Sequence, residues 1–293
     1  MKKIIVPGTI PTGDFHQFLL GAVAPRPIAF VSTMDTNGAV NLAPYSFFNA
    51  FSSNPPILVF SSNRRVENNT TKDTLHNVMA TKECVVNVVN YEIARKMLVC
   101  SVDFPPEINE FEQSGLTPIP ATQVSAPLVK ECPVNMECRV IEIKTLGVKG
   151  GAGHLIICEV LCMHIDESVL DDNNRIDPHK IDLIGRMGRA FYVRASGAAV
   201  HFMPQSQTLP IVGYPGLPEH IRRSDILSAN FIGYMSGLKA LPTKEQARQF
   251  LENPEHSIPA DLLQKSSKEI ERHCLQLFNE GKAELAVQIL FME

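Results

Sequence analysis

Pro25-Arg-Pro-Ile-Ala-Phe-Val-Ser-Thr-Met-Asp-Thr-Asn-Gly-Ala-Val-Asn-Leu-Ala-Pro-Tyr-Ser-Phe-Phe-Asn49 is the stretch whose reading decides the fold. Residues 28–33 are rich in β-branched and aromatic side chains, and 35–38 carry the Asp, Asn and Gly of a tight turn. Residues 39–42 resume an apolar pattern, so the stretch predicts a strand, a turn and a second strand. The second strand then meets Pro44, which has no N–H to give a ladder, so it stops there or runs along a sheet edge. A strand that stalls leaves backbone N–H groups beside Asn41, Tyr45, Ser46 and Asn49, the donors a flat ligand with polar edges needs. An ordinary hairpin followed by an irregular loop accounts for the same residues without a ligand.

Outward from that hairpin, strands dominate. Residues 56–61 and 83–90 are short apolar runs that predict buried strands. Residues 134–148 and 154–165 predict a long hairpin about the turn Gly150-Gly-Ala-Gly153. Between them, 72–79 predicts a helix capped by Asp73 or Thr74, and 91–100 a second helix with Ile93, Met97 and Leu98 on one face. Residues 1–24 read as an extended lead-in, and 104–115 as a Pro/Glu-rich intervening segment. The expected fold is mostly β, a barrel with one or two covering helices. Composition shifts near residue 196. Residues 194–218 read as a connector, followed by helical patterns at 225–237, 243–252, 259–280 and 282–290, with a capping box at Thr243-Lys-Glu-Gln246. The expected division is 1–196, carrying the barrel, and 197–293, a helical C-terminal extension.

Composition narrows the function classes. The 293-residue chain has a formal charge of −4 and a pI near 6.2, so nothing attracts it globally to nucleic acid or to an anionic membrane. No run approaches the ~20 apolar residues of a membrane span, and the first residues lack the apolar core of a signal peptide. Seven cysteines without a Cys-x-x-Cys pair read as reduced thiols in a cytoplasmic core. The nine histidines contain no His-x-x-x-His pair, and 171–177 lacks the Gly and Glu of a calcium loop, so no metal site is expected. The glycines at 147–153 precede a strand and not a helix, which removes a dinucleotide fingerprint. There is no Gly-x-Ser-x-Gly elbow.

One further set carries chemistry. Ser61, Ser62, Arg64, Arg65, Lys72 and Thr74 come from a strand end, its loop and the start of the next helix. Hydroxyls and cations beside a helix N-terminus suit a phosphomonoester. No Gly-x-x-x-x-Gly-Lys precedes them, so this is not a nucleotide-hydrolysing P-loop. A solvated loop ahead of a capped helix is the structural alternative.

The order of Arg26-Pro-Ile-Ala, Ser32-Thr, Gly38, Asn41-Leu-Ala-Pro-Tyr-Ser46, Pro55-Pro56, Ser61, Lys72-Asp-Thr74, Asn77 and Val85-Val-Asn87 forms a pattern. It continues through Gly151, His154, Glu159-Val, His164, Ile184-Gly-Arg-Met-Gly-Arg189 and Tyr192. Over about residues 15–195 it resembles the flavin reductase-like, FMN-binding split-barrel family. That resemblance implies a six-stranded split barrel, a homodimer, and FMN near the subunit interface. It implies Asn41, Ala43, Tyr45 and Ser46 along the isoalloxazine with Asn49 close by, and Ser61, Ser62, Arg64, Lys72 and Thr74 at the phosphate. Arg26 and Ser32 would support these contacts, and Arg186 and Tyr192 would lie near the flavin or the dimer contact. The activity implied is an FMN-dependent oxidoreductase passing hydride from NAD(P)H to a flavin, a partner monooxygenase or another small-molecule acceptor. A non-enzymatic FMN-binding electron carrier is the alternative within the fold, and a protein-interaction role for the tail the alternative outside it. Hydride transfer to a flavin requires no side-chain acid or base, so no catalytic residue is assigned.

Overall fold

The computed structural model describes residues 1–293 apart from Gln205, Pro254, Glu255, Ser257, Ala260, Glu293 and the side chain of Leu263. The opening hairpin forms as β1 (Ala29–Met34) and β2 (Val40–Tyr45). Asp35 closes its turn, with Oδ1 accepting the N–H groups of Asn37 and Ala39 at 2.8 Å each. Gly38 takes a φ of 90°, which only glycine adopts without strain. The chain continues through β3 (Phe48–Ser53), β4 (Pro56–Asn63), β5 (Glu83–Val88), the two-residue strands β6 (Pro118–Ile119) and β7 (Leu128–Val129), β8 (Val134–Thr145) and β9 (Gly153–Ile165). A last pair, β10 (Leu183–Arg186) and β11 (Tyr192–Ala195), forms its own ribbon.

Seven strands build one antiparallel sheet in the order β2-β1-β5-β8-β9-β4-β3, one strand more than the resemblance implies. The sheet curls until its two ends meet through side chains. The rings of Tyr45 on β2 and Phe60 on β4 stand 5.2 Å apart. No ladder joins β2 to β4. The result is a split barrel. Its inward face buries Ala29, Val31, Phe60, Val86 and Ile156 against Leu75 and Val78 of α2 (Asp73–Thr81). Its outward face buries Phe30 and Leu42 against Ile93, Met97 and Phe111, carried in and beside α3 (Ala94–Val99) and α4 (Glu110–Ser114).

Several local expectations are corrected. Residues 1–24 are not all extended: α1 (Thr12–Ala22) forms, and the Arg26 guanidinium takes the carbonyls of Leu20 at 2.6 Å and Val23 at 2.5 Å at its C-terminal end. That clamp is tertiary, so the local Pro and Gly content concealed it. The N-cap of α2 is Lys72, with no side-chain cap bond, and neither Asp73 nor Thr74 fills that role. The segment 104–115 contains α4, begun by Asn109 accepting the Phe111 N–H at 3.0 Å.

Two buried polar networks fix the loops around the barrel. The fully buried Asn87 donates to the Phe30 carbonyl at 2.8 Å and accepts from the Val129 N–H at 3.1 Å and from Asn135 Nδ2 at 2.7 Å. Glu137 takes the N–H groups of Thr122, Gln123 and Val124, and its Oε1 lies 2.6 Å from His164 Nε2. Cys162 joins Glu137 and His164 in the one cluster of metal-ligating types among the described residues. The contacts from Thr122, Gln123 and Val124 use the carboxylate as a loop anchor, and the contact from His164 joins it to β9.

The chain divides into two compact units, Met1–His201 and Phe202–Glu293. The second contains α5 (Gly213–Gly216), α6 (Glu219–Arg222), α7 (Ala229–Ser236), α8 (Lys244–Leu251), α9 (Ser267–Asn279) and α10 (Ala283–Leu290). The Thr243–Gln246 capping box forms as expected. A second box at Ser266 and Glu269 starts α9 later than the expected 259, and Ala260 of that expectation lies outside the described residues. Phe231, Met235, Ile270 and Ile289 are its fully buried centre. Among the described residues, no helix is long and apolar enough to cross a membrane.

Burial pushes the Glu137 carboxyl up, but the donors from Thr122, His164 and Gln123 win and hold it down at about 2. A carboxyl depressed on folding contributes stability that is present above its unfolded value and lost as pH falls through the folded one. Urea denaturation between about pH 4.5 and pH 2 is therefore expected to show stability falling with pH. Glu137→Gln should flatten that dependence while lowering stability near neutrality.

Candidate functional site

The barrel's open end holds a cleft of about 360 Å³, lined among others by Asn41, Ala43, Tyr45, Lys72 and Thr74. Strand β2 presents the first three because of how it sits in the sheet. It is an edge strand, paired with β1 alone, with Asn41, Ala43 and Tyr45 opposite Thr33, Val31 and Ala29. The Leu42 N–H points off the free edge, where Glu110 Oε2 accepts it at 3.0 Å. Antiparallel alternation then turns the N–H groups of Asn41, Ala43 and Tyr45 toward β1.

This corrects the stalled strand. β2 runs through Pro44 to Tyr45 because the missing N–H falls on the free edge, where no ladder partner exists. The backbone donors expected beside Asn41 and Tyr45 are committed to the sheet, and side chains face the cleft in their place. Asn41 Nδ2 donates to Thr74 Oγ1 at 2.8 Å, tying β2 to the first turn of α2. Lys72 Nζ lies 5.5 Å from the centroid of the Tyr45 ring.

Positive charge gathers here. Burial, and then the neighbouring Arg65, lower the Lys72 ammonium below its usual value. Arg65 lines the cleft, donates to the Thr71 carbonyl at 2.6 Å, and pairs with Asp103 across it. The glycine turn at 150–153 supports this loop. The Gly151 N–H donates to the Arg64 carbonyl at 3.0 Å, and a Cβ on Gly150 would stand 2.7 Å from the Val66 carbonyl oxygen. Because the N-cap of α2 contributes no side chain, the N–H groups of Asp73 and Thr74 and the positive end of the dipole are open to a ligand, while the Leu75 N–H donates to the Lys72 carbonyl at 3.0 Å.

Beside these cations lie buried polar atoms with no partner among the described residues: Tyr45 Oη, Ser62 Oγ and His154 Nε2. Ser62 and His154 face each other across β4 and β9. The hydroxyls of Thr74 and Ser62 are close enough to Tyr45 to favour its ionisation, yet burial dominates and pushes the phenol up to about 12. Burial, and then the charge of Arg64, lower the His154 imidazole. Orphaned hydroxyls, two cations and a bare helix start fit an anionic oxygen-rich group.

The other expected residues do not line this cleft. Ser61 donates to Asn63 Oδ1 at 2.7 Å, and the Arg64 guanidinium is bound to Asn69 at 2.7 and 2.6 Å. Ser32 is buried in the Asn87 network and donates to the Pro127 carbonyl at 2.5 Å. Ser46 sits in the bend after β2, and Asn49 is exposed on the edge strand β3. Arg26, Arg186 and Tyr192 form a separate group. The backbones of Arg26 and Arg186 bridge, Arg26 Nη2 donates to the Met187 carbonyl at 2.8 Å, and Arg186 Nη1 donates to the Tyr192 hydroxyl. In the cleft the structure adds Arg65, Asp103 and Glu110. Arg65 had a sequence signal in the phosphate-like loop, and His154 had one in the family pattern. Asp103 and Glu110 had none.

Residues 21–179, more than half of the chain, match the model of the flavin reductase like domain. The chain belongs to that family. An uncharacterized protein from Aquifex aeolicus is 43% identical over 186 residues, which are 63% of this chain and 92% of the relative. Nitrilotriacetate monooxygenase component B from Bacillus cereus is similar in structure, with a TM-score of 0.63 and 29% identity over 71% of this chain and 99% of that one. The 2-nitrobenzoate 2-nitroreductase of Pseudomonas fluorescens gives 0.61 and 28% over 72% and 100%. The split-barrel fold is shared with a solved split-barrel protein from Shewanella frigidimarina, with a TM-score of 0.58 and 24% identity over 68% of this chain and 95% of that one.

Titration with FMN as the phosphomonoester is expected to separate the cleft's charges. Lys72→Ala should weaken binding by about 1.5–3 kcal/mol, the worth of a charge-assisted hydrogen bond. Asp103→Asn releases Arg65 from an exposed pair and should strengthen binding by up to about 1 kcal/mol.

Proposed function

We propose that this chain is an FMN-binding oxidoreductase of flavin reductase type, passing hydride from NAD(P)H through FMN to a flavin or small-molecule acceptor. One observation carries the reading: Lys72, Arg65 and the open start of α2 line one cleft with Asn41, Tyr45 and Thr74 in a flavin reductase-like barrel. Bound FMN supplies the hydride and electron chemistry. The chain's residues bind and orient. Lys72, Arg65, Thr74 and Ser62 hold the phosphate, and Asn41, Ala43 and Tyr45 wall the path from it toward Ser46 and Asn49. Ser61, Arg64 and Ser32 brace the strands and loop that carry these groups, and Arg26, Arg186 and Tyr192 brace α1 against β10 and β11. Residues 1–196 constitute the flavin domain and 197–293 the helical extension.

A homodimer accords with exposed apolar surface on the barrel. Leu161, Met163 and Ile165 alternate along β9 with 41%, 47% and 37% of their surface exposed, and Phe51 is exposed on the edge strand β3, which pairs with β4 alone. Seven free thiols, six of them buried, suit a reducing cytoplasm.

The deciding measurement is the absorption spectrum of the purified protein with FMN, then with NADH and NADPH added separately without oxygen. Binding of FMN followed by bleaching with either nucleotide is expected. A protein that neither carries nor takes up FMN overturns the proposal, and FMN binding without bleaching makes the chain an electron carrier.

A further inference from the structure

The second unit contains a cavity of about 410 Å³ between α7, the 238–242 turn and α10. Leu241, Pro242 and Val287 give it apolar walls, and Tyr234 contributes an aromatic ring. The Tyr234 ring is set by Phe278, with centroids 5.8 Å apart. Glu284 and Gln288 also line it, one helical turn apart on α10, so both project from the same face.

Two of these polar groups lack partners. Gln288 Oε1 is buried and accepts no hydrogen bond among the described residues. The Glu284 carboxylate has no ion pair among the described residues. It acts on Tyr234, whose phenol is pushed up by burial and next by the Glu284 charge, which places carboxylate and ring at one site.

We infer that this cavity binds a small organic ammonium compound with an apolar body. The carboxylate of Glu284 and the face of Tyr234 attract the cation. The Glu284 carboxylate accepts N–H donors, so a primary or secondary ammonium gains a charge-assisted hydrogen bond there that a quaternary one cannot make. The aliphatic walls take a ring or short chain, and the volume is that of a small-molecule pocket. This site lies wholly within residues 202–293, outside the matched flavin reductase domain, and does not depend on the flavin reading.

Calorimetric titration of the full-length protein with 2-phenylethylamine, 2-phenylethanol and the N,N,N-trimethylated amine tests it. Saturable one-to-one binding of 2-phenylethylamine is expected, at least about tenfold tighter than either of the others, as one charge-assisted hydrogen bond provides. Glu284→Gln should weaken the amine about tenfold or more, with circular dichroism reporting an intact fold. Glu284 is exposed, so its variant tests binding with little effect on packing. No saturable binding, equal affinity for amine and alcohol, or indifference to Glu284→Gln overturns the inference.

Discussion

The hydrogen bond from the Leu42 N–H to Glu110 decides which way β2 faces, and the barrel's open end depends on it. Strand side chains alternate, so a slip of one residue would turn Asn41, Ala43 and Tyr45 away from the cleft and bring Leu42 to that side. An edge strand has only one ladder to resist such a slip. Here β2 is held from three directions: the β1 ladder, the Asn41–Thr74 bond on the inward side, and Glu110 on the free edge. Burial raises the Glu110 carboxyl above its usual value, with the Leu42 N–H acting against that rise. A buried acid is tolerated because it answers the one edge N–H that would otherwise point into protein. Pro44 removes the next one.

The same arrangement concentrates charge of both signs in a small volume. Arg65 and Lys72 face Asp73, Asp103 and Glu110 around the cleft. The Arg65–Asp103 pair is the most direct neutralisation, and its carboxylate is 63% exposed, so solvent screens it. Lys72 has no carboxylate within ion-pair distance among the described residues, and burial already works against its charge. A ligand that brings negative charge to this point improves the solvation of Lys72 most, because that ammonium has lost the most water. Arg65 contributes only after its present partner yields.

Much of the fold was legible in the residues. The turn at 35–38, the long hairpin about 150–153 and the capping box at Thr243 are local events, written in Gly, Asp and Thr at fixed offsets, and each formed where expected. What the chain hid were tertiary decisions. Helix α1 follows a run of Pro and Gly and is finished by Arg26, a residue beyond its own end. The family pattern gave that arginine a supporting place beside the flavin, and its Nη atoms hold carbonyls. Ser32 likewise lies in a patterned stretch, yet strand alternation turns it to the outer face and into the Asn87 network. The phosphate-like loop was visible as chemistry, but which of two adjacent arginines reaches the cleft depends on how the glycine turn at 150–153 docks against it. Arg64 is bound to Asn69, and Arg65 faces the cleft.

The partnerless atoms at the barrel end bear on stability as well as on binding. A buried hydroxyl or ring nitrogen without a hydrogen bond costs on the order of 1–3 kcal/mol, and Tyr45, Ser62 and His154 each have one. Total stabilities are only about 5–15 kcal/mol, so such a cluster is a substantial burden for a protein standing alone. The barrel could remove it with Phe, Ala and Leu, since the surrounding inward face is already apolar. Keeping the polar atoms is consistent with a folded state that normally shares them with a ligand, whose binding then adds to folding free energy by mass action. On that view the cleft's polarity and the barrel's incomplete closure have one cause. Joining β2 to β4 by a ladder would close the end at which those atoms meet their ligand.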